Sequence, residues 1–311
     1  MRAFLFPGQG SQTVGMGAAL ARAHPAAQAV FDEVDAALSQ KLSKIMFDGP
    51  EAELRLTENA QPALMATSLA VVRVLAASGH SLPQLAAFVA GHSLGEYSAL
   101  ASAGALSLSD AAKLLKRRGQ AMQRAVPVGD GAMAALIGLD FSSAAAVCAQ
   151  AADGEICTPA NDNAPGQVVV SGHKAAVMRA IEIAKGKGAK RGILLPVSAP
   201  FHCPLMKPAA EEMASALAEV RIETPSVPVI SNVSASPITQ PDEIRRRLVE
   251  QVTGVVRWRE SVLRLAGLGA TTLVECGTGK VLTGLARRIA PALEAFSLET
   301  PEEIEAFAAS L

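Results

Sequence analysis

Cysteine is scarce in this chain, and the few present are poorly placed for metal or disulfide chemistry. The 311 residues hold four, Cys148, Cys157, Cys203 and Cys276. None forms a CxxC pair and their spacing fits no zinc site, so they read as reduced, buried thiols of a cytoplasmic protein. An excess of either charge is also missing. Lys plus Arg is 28 and Asp plus Glu is 29, a net charge of −1, which argues against a nucleic-acid binder. Long apolar runs are absent too, although mean hydropathy is +0.28. The least charged region, Ser81 to Ser109, is broken by His92 and Glu96, and no stretch of about 20 apolar residues stands ready to span a bilayer. The apolar start, Met1 to Gly8, is too short for a signal peptide. There is no internal repeat and no low-complexity tract.

What is present is a chain that is 50% hydrophobic with 18% charged residues, enough for a large core. Arg2 to Phe6 reads as a short buried strand. It is followed by a turn-rich loop, Pro7 to Gln12, and then by helices over Val14–Arg22, Ala26–Leu38 and Glu51–Leu56. Asn59 to Ala77 is apolar nearly all round, the pattern of a helix covered on most sides. Ser109-Asp110 is placed to cap a helix over Ala111–Ala125, whose Lys116, Arg117 and Arg124 read as a solvated face.

Beyond the Pro127–Gly131 linker the pattern changes. Strand Ala132–Gly138, helix Phe141–Ala152, strands Glu155–Pro159 and Gln167–Ser171, helix Lys174–Lys187 and strand Lys190–Pro196 give the order β-α-β-β-α-β, the ferredoxin-like unit. From Val197 onward, helices over Met206–Val220, Pro241–Thr253, Trp258–Ala266 and Val281–Ile289 alternate with strands Val227–Ser231 and Thr271–Glu275. The expected architecture is therefore α/β: a large α/β-hydrolase-like domain with a mostly parallel sheet, residues 1–126 and 197–311, carrying a small ferredoxin-like α+β insert, residues 127–196.

The stretch with the clearest chemistry is Gly91-His92-Ser93-Leu94-Gly95. It fits Gly-x-Ser-x-Gly between an apolar run, Leu85 to Val89, read as a strand, and a helical pattern from Leu94 to Ala105. Strand, sharp turn and helix are the setting of a nucleophile elbow. The Leu94 amide, at the helix start, is aimed to stabilise an oxyanion. A second donor has to come from a neighbouring loop, and Gly8 to Gln12 is the best placed; this loop lacks the Gly-Lys-Ser/Thr ending of a P-loop.

A serine hydroxyl needs a base. Of the five histidines, His24, His80 and His173 sit at helix junctions, and His92, next to Ser93 in a tight turn, reads as structural. His202 lies in Pro196–Pro204, a rigid loop with three prolines, and is the favoured base. Cys203 beside it is a poor candidate nucleophile. No acid stands out to orient the histidine, so a backbone carbonyl or an amide side chain is left for that role.

Several motifs, in order, carry a resemblance. Phe6-Pro7-Gly8-Gln9-Gly10-Ser11-Gln12, Gly91 to Tyr97, Arg118-Gly119, Asn161 to Gly172, Ala199-Pro200-Phe201-His202-Cys203 and Gly277 to Leu282 together resemble the malonyl-CoA:acyl carrier protein transacylase family, from residue 2 to about 290. The resemblance implies Ser93 as nucleophile, His202 as base and Gln251 as the residue whose carbonyl orients that base. It implies the amides of Gln12 and Leu94 as the oxyanion hole and Arg118 as the holder of the substrate carboxylate, a role suited to a planar guanidinium. Asn161 and Phe201 are candidate substrate-pocket residues. Phe201 and Leu94 both fit a preference for malonyl over methylmalonyl groups. Cys276 and Thr278 depart from the family's usual valine and proline.

The implied reaction transfers a malonyl group from malonyl-CoA to the phosphopantetheine thiol of acyl carrier protein, in fatty acid biosynthesis. The expected partners are those two substrates, with no metal, no cofactor, no nucleic acid and no membrane, and the chain is read as a monomer. Lys185, Lys187, Lys190 and Arg191, and the pair Arg287-Arg288, are read as solvated surface, with docking of an acidic carrier protein as the alternative. The rival readings are a malonyl transferase of a malonate decarboxylase or polyketide system, a serine thioesterase or esterase, and a non-catalytic module that binds carrier protein.

Overall fold

A computed structural model describes residues 1–311. The chain begins with β1 (Arg2–Phe6) and passes through α1 (Ala18–Ala23), α2 (Pro25–Leu38), α3 (Leu42–Asp48), α4 (Glu51–Arg55), α5 (Thr57–Ala77) and α6 (Leu82–Leu85) to β2 (Phe88–Gly91), α7 (Gly95–Ser102) and α8 (Leu108–Ala125). A second unit follows: β3 (Gly131–Ile137), α9 (Phe141–Ala152), β4 (Cys157–Ala164), β5 (Gln167–His173), α10 (Lys174–Gly186) and β6 (Arg191–Leu194). The remainder is α11 (Lys207–Ala218), β7 (Val229–Ile230), β8 (Pro237–Ile238), α12 (Pro241–Thr253), α13 (Trp258–Gly267), β9 (Thr272–Cys276), α14 (Val281–Ile289), β10 (Glu294–Leu298) and α15 (Pro301–Ala309).

Two sheets result. The larger has the order β10-β9-β1-β2-β7-β8. It is parallel throughout except for the β7–β8 pair. The smaller has the order β4-β5-β3-β6 and is antiparallel. Its two helices pack on it around a separate apolar cluster that includes Leu136, Val147, Val168, Val177 and Ile181. The large sheet is buried on both faces. Phe4, Phe6 and Val89 face the major core, while Ala3, Leu5 and Ala90 face a smaller one closed by α13 and α14. This alternation along β1 is what a strand of period two between two helical layers requires.

Helix α5 is long and apolar enough to cross a membrane by length and composition, yet most of it is buried inside the fold. It packs in the major core, where Leu64, Leu69, Val71 and Leu75 are all covered. Its buried polar side chains, Thr57, Asn59, Gln61, Thr67 and Ser68, each bond to a neighbour, as interior polar groups must.

Several boundaries differ from the sequence reading. The apolar run Leu85–Val89 is not the elbow strand: Leu82–Leu85 forms a helical turn, started by the Ser81–Gln84 capping box, with a proline in its first turn. The strand is Phe88–Gly91. The first helix begins at Ala18 rather than Val14, because Gly15 and Gly17 take positive φ just before it. Ser107, not Ser109, caps α8, accepting from the Asp110 amide. Strand β4 runs on through Asn161-Asp162-Asn163, where the Asp162 amide donates to the Val256 carbonyl and the Val256 amide to the Ala160 carbonyl, a parallel bridge that ties the strand to the large unit.

Candidate active site

Ser93 stands where β2 ends and α7 begins. The turn is as tight as its glycines allow: a Cβ on Gly91 would lie 1.8 Å from the Gly95 carbonyl oxygen, and one on Gly95 would lie 2.2 Å from the Phe6 oxygen. Ser93 itself has φ +53, a left-handed conformation that costs energy for a residue with a Cβ. Asn232, two residues beyond the end of β7, clasps the turn. Its Oδ1 accepts from the Ser93 amide at 2.7 Å, and its Nδ2 donates to the Gly91 carbonyl at 2.7 Å.

His202 arrives from the loop between β6 and α11. Its φ of +57 is also left-handed, and the loop is held by the Cys203 thiol, which donates to the Pro200 carbonyl at 3.1 Å. Its Nε2 is 2.7 Å from Ser93 Oγ. Its Nδ1 is 2.9 Å from the backbone oxygen of Gln251. A carbonyl only accepts, so Nδ1 carries the hydrogen and Nε2 offers its lone pair to the serine. The residue is 4% exposed. Burial, and next the charge of Arg118, push its pKa down to about 3.

Arg118, on α8, is 2% exposed. Its Nη1 donates to Gln61 Oε1 at 2.7 Å and its Nη2 to Gln251 Oε1 at 2.8 Å. Nη2 also lies 3.2 Å from Ser93 Oγ, while Nε is buried with no partner. Nε and Nη2 form one edge of the guanidinium plane, the edge that grips a carboxylate with two parallel bonds. The Tyr97 ring sits 5.8 Å from the guanidinium carbon, within cation–π range.

The amides of Gln12 and Leu94 donate to no protein acceptor; the Gln12 side chain instead takes a bond from the Gly10 amide at 2.7 Å. Gln12, Leu94, Ser93, His202, Arg118, Asn161 and Phe201 all line one cavity of ≈ 350 Å³ between the two units, a volume suited to a small acyl group and part of its carrier. Met133, Asn161 and Leu195 form its wall on the side of the small sheet. Gln251 reaches Ser93 and His202 from behind rather than from within the cavity.

Four contributors were not singled out from sequence. Gln61 and Asn232 are described above. Asn163 Oδ1 lies 2.9 Å from His92 Nε2, fixing a ring that packs on Trp258 with centroids 5.5 Å apart. Glu96, fully buried, accepts at Oε2 from Gln251 Nε2 at 2.8 Å and from the Asn232 amide at 3.2 Å. Burial raises its pKa to about 7 against the pull of these donors. For Glu96, Gln61 and Asn232 the available signal is a polar side chain inside an otherwise apolar segment; Asn163 lies in a polar stretch and has no such signal.

Outside the cavity, Lys116 is not the free surface cation expected. It is 21% exposed and lies 2.9 Å from Glu58, because α8 packs along α5. Arg117 and Arg124 both pair with Glu212. Arg288 bonds Gln167 and the Pro165 carbonyl, so it ties the small unit to the large one. Lys187, Lys190 and Arg191 remain exposed.

Comparison with known proteins shows the family. The acyl transferase domain family matches residues 3–288. The chain is 49% identical over 304 residues to the malonyl CoA-acyl carrier protein transacylase of Escherichia coli K12, covering 98% of this chain and 97% of that protein. The crystal structure of an acyl-carrier-protein S-malonyltransferase from Bartonella henselae superposes with a TM-score of 0.97 at 55% identity, covering 99% and 98% of the two chains. A malonyl-transacylase solved in complex with a type II PKS acyl-carrier protein superposes with a TM-score of 0.96 at 42% identity, covering 100% and 99%.

Proposed function

From the premise that the chain belongs to the acyl transferase domain family, we propose that it moves a malonyl group from malonyl-CoA to the phosphopantetheine thiol of acyl carrier protein, in fatty acid biosynthesis, through a malonyl ester on Ser93. The observation that carries this reading is the meeting of two groups at one oxygen: Ser93 Oγ lies 2.7 Å from a neutral imidazole nitrogen and 3.2 Å from a buried guanidinium.

In the first half-reaction His202 Nε2 takes the Ser93 proton as Oγ attacks the thioester carbon. The resulting oxyanion takes bonds from the Gln12 and Leu94 amides. His202 returns the proton to the sulfur of departing CoA, leaving the ester. In the second half-reaction the carrier's thiol gives its proton to His202 and attacks the ester, and Ser93 regains a proton as it leaves. The Gln251 carbonyl keeps the imidazole in the tautomer both steps need. Arg118 holds the distal carboxylate of the malonyl group, and Asn161 and Phe201 shape the wall beside it. This chemistry calls on no metal and no cofactor, and we place it in the cytoplasm, in a monomer. A hydrolase would need the same serine and histidine but would pass the ester to water.

The test is intact-mass spectrometry of the protein after incubation with malonyl-, methylmalonyl- and acetyl-CoA, followed by addition of a carrier protein. A malonyl adduct, absent from Ser93→Ala and discharged onto the carrier thiol, is the expected result. Release of free malonate faster than transfer would place the protein among the thioesterases instead.

A further inference from the structure

Glu96 is the one fully buried acid within reach of the nucleophile's own supports. Its Oε2 accepts from two groups that lead in different directions. One is Gln251 Nε2, whose carboxamide also donates to the Ser93 carbonyl at 2.9 Å and accepts from Arg118 Nη2 at 2.8 Å. The other is the backbone amide of Asn232, whose side chain clasps the Ser93 turn.

The orientation of Gln251 is the crux. A carboxamide has an accepting end and a donating end. Only one of its two orientations puts the oxygen on the Arg118 cation; the reverse sets an N–H against it. A carboxylate at the far end is the strongest available director, since it accepts and never competes as a donor while ionised. As part of the fold alone Glu96 is a liability, because it is fully buried and a buried carboxyl group is costly.

We propose that Glu96 is a positioning residue for acyl-group selection, its Oε2 holding the Gln251 carboxamide and the Asn232 amide and, through them, the Arg118 guanidinium and the Ser93 turn. It touches no reacting atom. This rests on the transacylase reading above, and it adds to Arg118 a buried support that decides how well that cation is aimed.

The experiment compares single-turnover acylation by malonyl-CoA and acetyl-CoA in the full chain, with melting temperature measured alongside. The variants are Glu96→Leu, Glu96→Gln, Gln251→Met and the Glu96→Leu/Gln251→Met double variant. Glu96→Leu strands the buried Asn232 amide and one Gln251 hydrogen, so the melting temperature is expected to fall, while the malonyl-to-acetyl rate ratio falls roughly tenfold, the loss of one charge-assisted hydrogen bond, and KM for malonyl-CoA rises. Glu96→Gln retains an acceptor oxygen and restores most of the ratio. Gln251→Met keeps the carbonyl that orients His202, lowers the ratio similarly, and the double variant lowers it no further.

A Glu96→Leu variant that slows both substrates equally overturns the proposal, as does a double variant whose losses multiply. Should Glu96→Leu not fold, an unchanged ratio in Gln251→Met overturns it equally, because the link to Arg118 runs through that side chain. Wild-type protein that forms no malonyl adduct would remove the transacylase reading itself. A wild-type malonyl preference that survives in the variants removes only the role of Glu96.

Discussion

Arg118 Nη2 and His202 Nε2 converge on the same atom, Ser93 Oγ, at 3.2 and 2.7 Å. A fixed cation and a proton acceptor therefore share one nucleophile. On the proposed reading, in which Arg118 holds the substrate carboxylate, the closeness selects the length of the acyl group as well as its charge: a carboxylate has to lie one short step from the attacked carbon to reach the guanidinium.

Arg118→Ala is expected to lower malonyl transfer by a factor corresponding to roughly 2–5 kcal/mol, the cost of losing a buried charge-assisted contact, while acetyl transfer falls little. Arg118→Lys will not restore it, since an ammonium cannot bond Gln61, Gln251 and a carboxylate in one plane. Succinyl-CoA, longer by one methylene, should acylate poorly. Rates of adduct formation on the three thioesters decide the matter; equal losses on malonyl and acetyl thioesters would release Arg118 from carboxylate recognition.

The shared oxygen also ties the base to the substrate. Burial and then the Arg118 charge depress His202 to about 3. A bound carboxylate cancels that charge, removes part of the repulsion of an imidazolium, and so raises the pKa of the base. The active form is neutral imidazole, so the acid limb of the rate follows that pKa upward. Single-turnover acylation at saturating thioester should show its acid limb at higher pH with malonyl-CoA than with acetyl-CoA. Superimposable profiles would mean that Arg118 does not tune His202.

The elbow makes a third expectation. Asn232→Ala removes two bonds of 2.7 Å and leaves the Ser93 amide without an acceptor at a residue of φ +53. A stability loss of roughly 2 to 4 kcal/mol follows from the stranded groups, and the serine loses alignment with His202. Chemical denaturation and acylation rate, measured on one preparation, should fall together. A loss of stability with acylation intact would limit Asn232 to the fold.

How far the sequence foretells all this depends on chain distance. The Gly-x-Ser-x-Gly turn is local, and its glycines are demanded by neighbours within a few residues, so it is legible. So is the small unit, because β-α-β-β-α-β punctuated by Pro and Gly admits few folds. The apolar run at Leu85–Val89 misleads, since a short apolar segment suits a helical turn as well as a strand. The supports of the site are hidden for another reason. Asn232 meets Ser93 across 139 residues, and Gln251 meets Glu96 across 155. Those meetings depend on β7 lying beside β2 in a parallel sheet and on how α12 packs, neither of which leaves a local pattern. Glu96 sits in plain view directly after the elbow motif, yet only the fold shows that its carboxylate turns inward.

Glu96 gives the last expectation, in stability rather than rate. Its pKa rises from 4.5 to about 7 on folding, so between those values the native state binds more protons than the unfolded state. Stability tied to this group is therefore full below 4.5 and is lost as pH rises through 7. His202 shifts the opposite way, favouring the native state less as pH falls below its ordinary value. A wild-type curve alone thus mixes two slopes. Glu96→Gln retains His202 and removes only the titrating carboxyl. Relative to wild type it should gain stability steadily as pH increases from 4.5 to 7, by at most roughly 3 kcal/mol. Urea denaturation of the two proteins at matched pH values measures the difference. A difference that stays constant across that range would show that Glu96 does not titrate there, and that the buried network holds it in a single protonation state throughout.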